Sequence, residues 1–87
     1  MEVTNTTGLD GDFKVTSGGG TRDGGGWKPL PRRSRVEHAL EKDEGPWKIE
    51  FRIPDHNKTY SGRFINPPAR VVLEERSGEI HVDMKLQ

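Results

Sequence analysis

The chain predicts a mainly β or α+β protein, a small antiparallel β-meander with one short helix and an extended glycine-rich N-terminal arm. Three observations carry this expectation. From Trp47 onward, apolar and polar residues alternate with the two-residue period of half-buried strands. Clusters of turn residues interrupt that alternation at 54–57, 66–68 and 77–78. Ahead of it, residues 1–33 hold Gly8, Gly11 and the runs Gly18-Gly19-Gly20 and Gly24-Gly25-Gly26, with little apolar bulk between them. Such a stretch loses too much backbone entropy on ordering to fold by itself. The expected organisation is therefore an arm over 1–33 and a small β domain over 34–87.

Within the arm, Val3, Leu9, Phe13, Val15, Trp27 and Leu30 supply the apolar bulk, and Asp12 to Thr16 reads as one short strand. Phe13, Trp27 and Leu30 are the expected anchors for a neighbouring protein, because bulky apolar groups on a flexible leader gain order by docking. Lys28-Pro29-Leu30-Pro31-Arg32-Arg33 is extended by its prolines. With Arg35 it forms a basic patch (Lys28, Arg32, Arg33, Arg35) suited to phosphate or an acidic partner. Ser34 followed by Glu37 has the spacing of a helix capping box, and Val36, Ala39 and Leu40 form an apolar stripe. These predict a helix over 34–43 that stops by Gly45-Pro46 and lies on the sheet.

The strands follow in order. Trp47, Ile49, Phe51 and Ile53 share one face, and Lys48, Glu50 and Arg52 the other. A four-residue connection over 54–57 pairs Phe51 with Tyr60, Ile49 with Gly62 and Trp47 with Phe64. Asn66-Pro67-Pro68 then breaks the chain before a third strand, Ala69 to Arg76. A Ser77-Gly78 hairpin loop pairs Leu73 with Val82, Val71 with Met84 and Ala69 with Leu86. On the opposite face it sets Arg76 against Glu79, Glu74 against His81, and the like-charged Arg70 against Lys85. Together these strands predict a four-stranded meander over 47–87.

Composition narrows the function. Hydrophobic residues make up 29% of the chain. Counting glycine and omitting tyrosine, the apolar share reaches roughly 40%, below the ~45–50% of ordinary domains. A core that thin draws support from disulfides, metal or neighbours. Cysteine is absent, and His38, His56 and His81 lack ligand spacing, which leaves neighbouring protein as the expected support. Fourteen basic and fourteen acidic residues cancel, so there is no long-range field to gather nucleic acid or anionic membrane. No segment has the ~20 apolar residues of a membrane span, and no secretory signal opens the chain, so a virion or cytoplasmic location is expected. Without such a signal, Asn5-Thr6-Thr7 and Asn57-Lys58-Thr59 read as chance matches to the glycosylation triplet.

Catalytic and cofactor patterns are incomplete. Asp10, Asp12 and Asp23 lack the spacing and terminal glutamate of a calcium loop. The glycine runs lack the Gly-Lys-Ser/Thr ending of a phosphate loop. Glu74 and Glu75, adjacent in a strand, point to opposite faces and cannot form an acid/base dyad. No enzyme activity and no cofactor are expected. Nucleic-acid binding is the rival reading, but the alternation puts Trp47, Phe51, Tyr60 and Phe64 opposite Lys48, Arg52 and Arg63. Single-strand binders present aromatics and cations on one surface.

The stretches Phe13-Lys14-Val15-Thr16-Ser17, Gly26-Trp27-Lys28, Trp47-Lys48-Ile49-Glu50-Phe51, Tyr60-Ser61-Gly62-Arg63-Phe64 and the closing strand at 80–86 resemble phage tail-tube proteins and their relatives in contractile injection systems. Small capsid decoration and tail-accessory proteins are similar to the same degree. What this resemblance implies is a non-catalytic virion structural role. The resulting expectation is an oligomeric assembly protein whose arm and unpaired sheet edge pack into a protein lattice. An inhibitor or adaptor occupying one partner protein, and a nucleic-acid-binding module, are the alternatives.

Overall fold

The computed structural model describes residues 1–17, 22–23, 26–40 and 45–85. The fold is mostly strand, in two sheets packed face to face. In chain order the strands are β1 (Glu2–Asn5), β2 (Gly11–Ser17), β3 (Arg22–Asp23), β4 (Lys28–Leu30), β5 (Ser34–Glu37), β6 (Trp47–Ile53), β7 (Lys58–Phe64), β8 (Arg70–Arg76) and β9 (Glu79–Lys85). The first sheet has the order β5-β1-β8-β9. The second has the order β3-β2-β6-β7, with β4 also pairing β2 beside β3. Pairing is antiparallel everywhere except between β1 and β8.

Both predicted hairpins form in the expected register. Trp47, Ile49 and Phe51 lie opposite Phe64, Gly62 and Tyr60. The connection is a 3₁₀ turn, Pro54–His56, closed by Asn57 in the left-handed conformation at φ 50°. Leu73 and Val71 lie opposite Val82 and Met84. Ser77 and Gly78 take φ 52° and 80°, the two positive values that a two-residue hairpin matched to strand twist requires. The like-charged Arg70–Lys85 pair also forms. Each cation turns to an acid instead, Arg70 Nε to Glu2 Oε1 at 3.2 Å and Lys85 Nζ to Asp83 Oδ2 at 2.8 Å. Leu86, the expected partner of Ala69, lies outside the described residues.

The single meander is corrected. The two hairpins belong to different sheets, because β7 and β8 do not pair. Their apolar faces instead meet across the interior, where Trp47, Ile49, Phe51, Ile53 and Phe64 pack with Val71, Leu73 and Ile80. Gly62 permits this closure at one flank. A Cβ there would sit 2.5 Å from Met84 Cε and 3.6 Å from Val82 Cγ1, so any side chain on β7 at that point would have to push the end of Met84 aside.

The helix is corrected too. Residues 34–37 are strand and residues 38–40 are not helical, while 41–43 lie outside the described residues. Ser34 Oγ donates to Pro31 O instead of accepting from Glu37, and Val36 pairs with Val3. A helix of two to three turns is marginal alone, so the pairing available on β1 outweighs the local capping signal.

Nor do the described parts of residues 1–33 form a separate arm. β1 lies inside the first sheet, between β5 and β8, and β2 lies inside the second, between β6 and the β3/β4 edge. Val3, Phe13, Val15 and Leu30 are all buried in the common core. Glycine runs 18–20 and 24–25 lie outside the described residues. The early strands are bound in through Asn5, which is fully buried. Its Nδ2 donates to Leu9 O at 2.9 Å and Leu30 O at 3.0 Å, and its Oδ1 accepts from Thr7 N at 2.9 Å and Thr7 Oγ1 at 2.6 Å. With donors and acceptor all used, the amide fixes the loop after β1 onto β4. Among the described residues, no helix is long and apolar enough to cross a membrane.

Candidate functional site

The residues expected to act together are separated by the fold. Phe13 and Leu30 are each 0% exposed, so they anchor the chain to itself and are not offered to a partner. Trp27 lies on the outer face of the second sheet, partly buried. The Arg52 guanidinium is 4.3 Å from its ring centroid and Lys14 Nζ is 5.0 Å away. Arg52 also binds Asp12 Oδ2 through Nη2 at 3.0 Å and Nε at 3.2 Å, so Trp27 covers an ion pair already made between β2 and β6.

The basic patch divides three ways. Lys28 Nζ lies 3.4 Å from His38 Nδ1, and the His38 ring meets Phe13 edge-on at 5.9 Å. Burial, then the Lys28 charge and the N-terminal ammonium, pull the His38 pKa below its ordinary value. Arg32 is committed to Asp10, with Nε to Oδ1 and Nη2 to Oδ2 both at 3.0 Å and its backbone N–H also on Oδ1 at 3.0 Å. This two-pronged contact holds the Asp10 carboxyl down at about 2.

Arg33 and Arg35 are the pair that remains. Arg33 takes φ 53° in the turn between β4 and β5, and Arg35 is on β5, exposed. Neither has a hydrogen bond or ion pair among the described residues. With Thr4, Asn5, Thr6 and Ser34 they line an open cleft of about 380 Å³ along β1 and β5. A second open cleft of about 380 Å³ continues it past Glu2, Val36 and Glu37. β5 is also a terminal strand of its sheet, with one flank unpaired among the described strands. The cleft therefore combines an open backbone edge, hydroxyls, and two guanidiniums without acids, which suits carboxylates presented on an extended chain.

β9, the other terminal strand, contrasts with it. Asp83 lies 2.8 Å from Lys85 and 3.6 Å from Arg76, and the Lys85 contact, followed by its charge and that of Arg76, lowers the Asp83 pKa. Ile65, directly after the neighbouring β7, is 75% exposed and is the large apolar side chain left open among the described residues. Thr4, Thr6 and Asp83 were not legible as site residues. Their roles depend on the long-range β1–β8 pairing, for which no local pattern exists. Comparison with protein-family models, with curated proteins and with solved structures finds no match.

Proposed function

We propose that this is a non-catalytic structural protein that assembles with neighbouring protein chains through the open flanks of its first sheet, in a lattice such as a virion provides. The observation that carries the reading is the β5 edge, which among the described residues is unpaired and bordered by Arg33 and Arg35 side chains without partners. An open edge templates strand addition, and two uncompensated guanidiniums select an acidic strand to add. Light scattering of the full chain over a concentration series tests this reading. Mass that grows with concentration and shrinks in high salt is expected; a monomer at the highest attainable concentration refutes it.

A second reading rests on Trp27. It shares a surface with Lys14 and Arg52, which favours a stacking site for single-stranded nucleic acid. An oligonucleotide that quenches tryptophan emission in wild type but not in Trp27→Leu, with strong salt dependence, is the result this reading requires.

A further inference from the structure

The register of the first sheet points to a strand that would supply the acid facing Arg35, and this inference rests on the assembly reading above. Four rows of residues cross the sheet from β5 through β1 and β8 to β9. They are Glu37–Glu2–Arg70–Lys85, Val36–Val3–Val71–Met84, Arg35–Thr4–Val72–Asp83 and Ser34–Asn5–Leu73–Val82. Three of the four rows end in a residue that complements their own start, the exception being Ser34 with Val82. Lys85 complements Glu37, Asp83 complements Arg35, and Met84 matches the apolar Val36.

Strand directions make the match usable. β5 is antiparallel to β1, β1 is parallel to β8, and β8 is antiparallel to β9. The two terminal strands therefore run the same way. A second copy shifted sideways along the rows, without being turned over, brings its β9 beside β5 as a parallel pair with the same residues facing inward. We propose that the partner of the β5 edge is the β9 edge of another copy, in the register that sets Asp83 against Arg35, Lys85 against Glu37 and Met84 against Val36.

Two further features agree. The flank carrying β9 also carries β7, and the flank carrying β5 also carries β4, so each end of the sandwich presents both sheets to the neighbour. The exposed Ile65 belongs to the β7 end, where such contact would cover it. The contact is head-to-tail, so every copy added leaves a fresh β5 at one end and a fresh β9 at the other. Growth continues until the rotation closes a ring or extends a filament.

The absence of cysteine from the chain gives a direct test. In the Arg35→Cys/Asp83→Cys double variant, the two positions within one chain are separated by three strand spacings, about 14 Å. That exceeds the ~7 Å limit for a disulfide, whereas paired strands of two copies meet it. Oxidation should give a ladder of covalent multimers that grows with protein concentration, while each single-cysteine variant stops at dimers. Assembly by light scattering without the 35–83 ladder overturns the edge assignment and leaves the assembly reading standing. No assembly and no ladder overturns both. If the double variant does not fold, charge reversal replaces it. Arg35→Asp and Asp83→Arg chains should each associate about five- to tenfold more weakly than wild type, and recover when mixed in equal amounts. Failure to recover on mixing overturns the register.

Discussion

Residues 1–40 and residues 45–85 contribute to the same core by different means. The later region is two hairpins, in which each strand pairs with its sequence neighbour. The earlier region supplies strands that pair mainly at a distance, β1 with β8 and β2 with β6. Glycine-rich composition suggested an appendage, but β1 and β2 are interior strands. A segment poor in apolar residues is structural when the few it has fall on one face of a strand that bridges others. Val3, Phe13 and Val15 do so here.

The strongest way to break this comparison is to remove residues 1–17. An appendage would come away cleanly. Here the loss takes β1 from between β5 and β8 and strips β6 of one neighbour, so the cooperative thermal transition followed by circular dichroism should disappear. A transition that survives at its original temperature would restore the appendage.

Next in size is a pair of truncations across the two regions. Phe13 and Phe51 are direct cross-strand partners, both fully buried. Phe13→Ala and Phe51→Ala should each cost about 3–5 kcal/mol in urea unfolding, with similar values for the two. A Phe13→Ala cost below about 1 kcal/mol would separate the regions again.

Asn5→Leu tests the polar tie that the early region needs and the hairpins do without. It strips partners from the Leu30 carbonyl and the Thr7 backbone N–H, and leaves the Leu9 carbonyl with Thr7 Oγ1 alone. A loss of about 1–3 kcal/mol is expected. Amide hydrogen exchange should accelerate first at residues 6–10, and uniform acceleration would show that the tie is not local.

The smallest effect is a pH dependence. His38 has a folded pKa below its ordinary 6.5, so the unfolded chain binds this proton more readily. Its contribution is complete above about pH 6.5, falls as the pH drops through that value, and levels off below the folded pKa. The decline in Tm on acidification through this window should flatten in His38→Gln. An unchanged slope would assign the decline to other groups.

The β6–β7 and β8–β9 registers were legible because strand alternation and turn chemistry are local, and one frame aligned every apolar pair. Ser34 to Leu40 misled for the same reason. The capping spacing is local and real, but Val3, some thirty residues earlier, offers Val36 a better partner. Of the candidate site, the basic residues were visible as a cluster. Their division was not, since Asp10 capturing Arg32 and His38 meeting Lys28 both depend on loops folding back. The sandwich was hidden because nothing local distinguishes two hairpins in one sheet from two hairpins facing each other.

The parallel β1–β8 pair also governs the order of events during synthesis. Glu2 to Asn5 are made well before their partners Arg70 to Leu73. At typical elongation rates that is a wait of about 3 to 14 s. Over that interval β5 can cover one edge of the strand, but the edge meant for β8 has to remain in water without pairing with anything else. Threonine, asparagine and glutamate surround its one buried aliphatic residue, Val3, so the edge that waits offers stray chains little to hold.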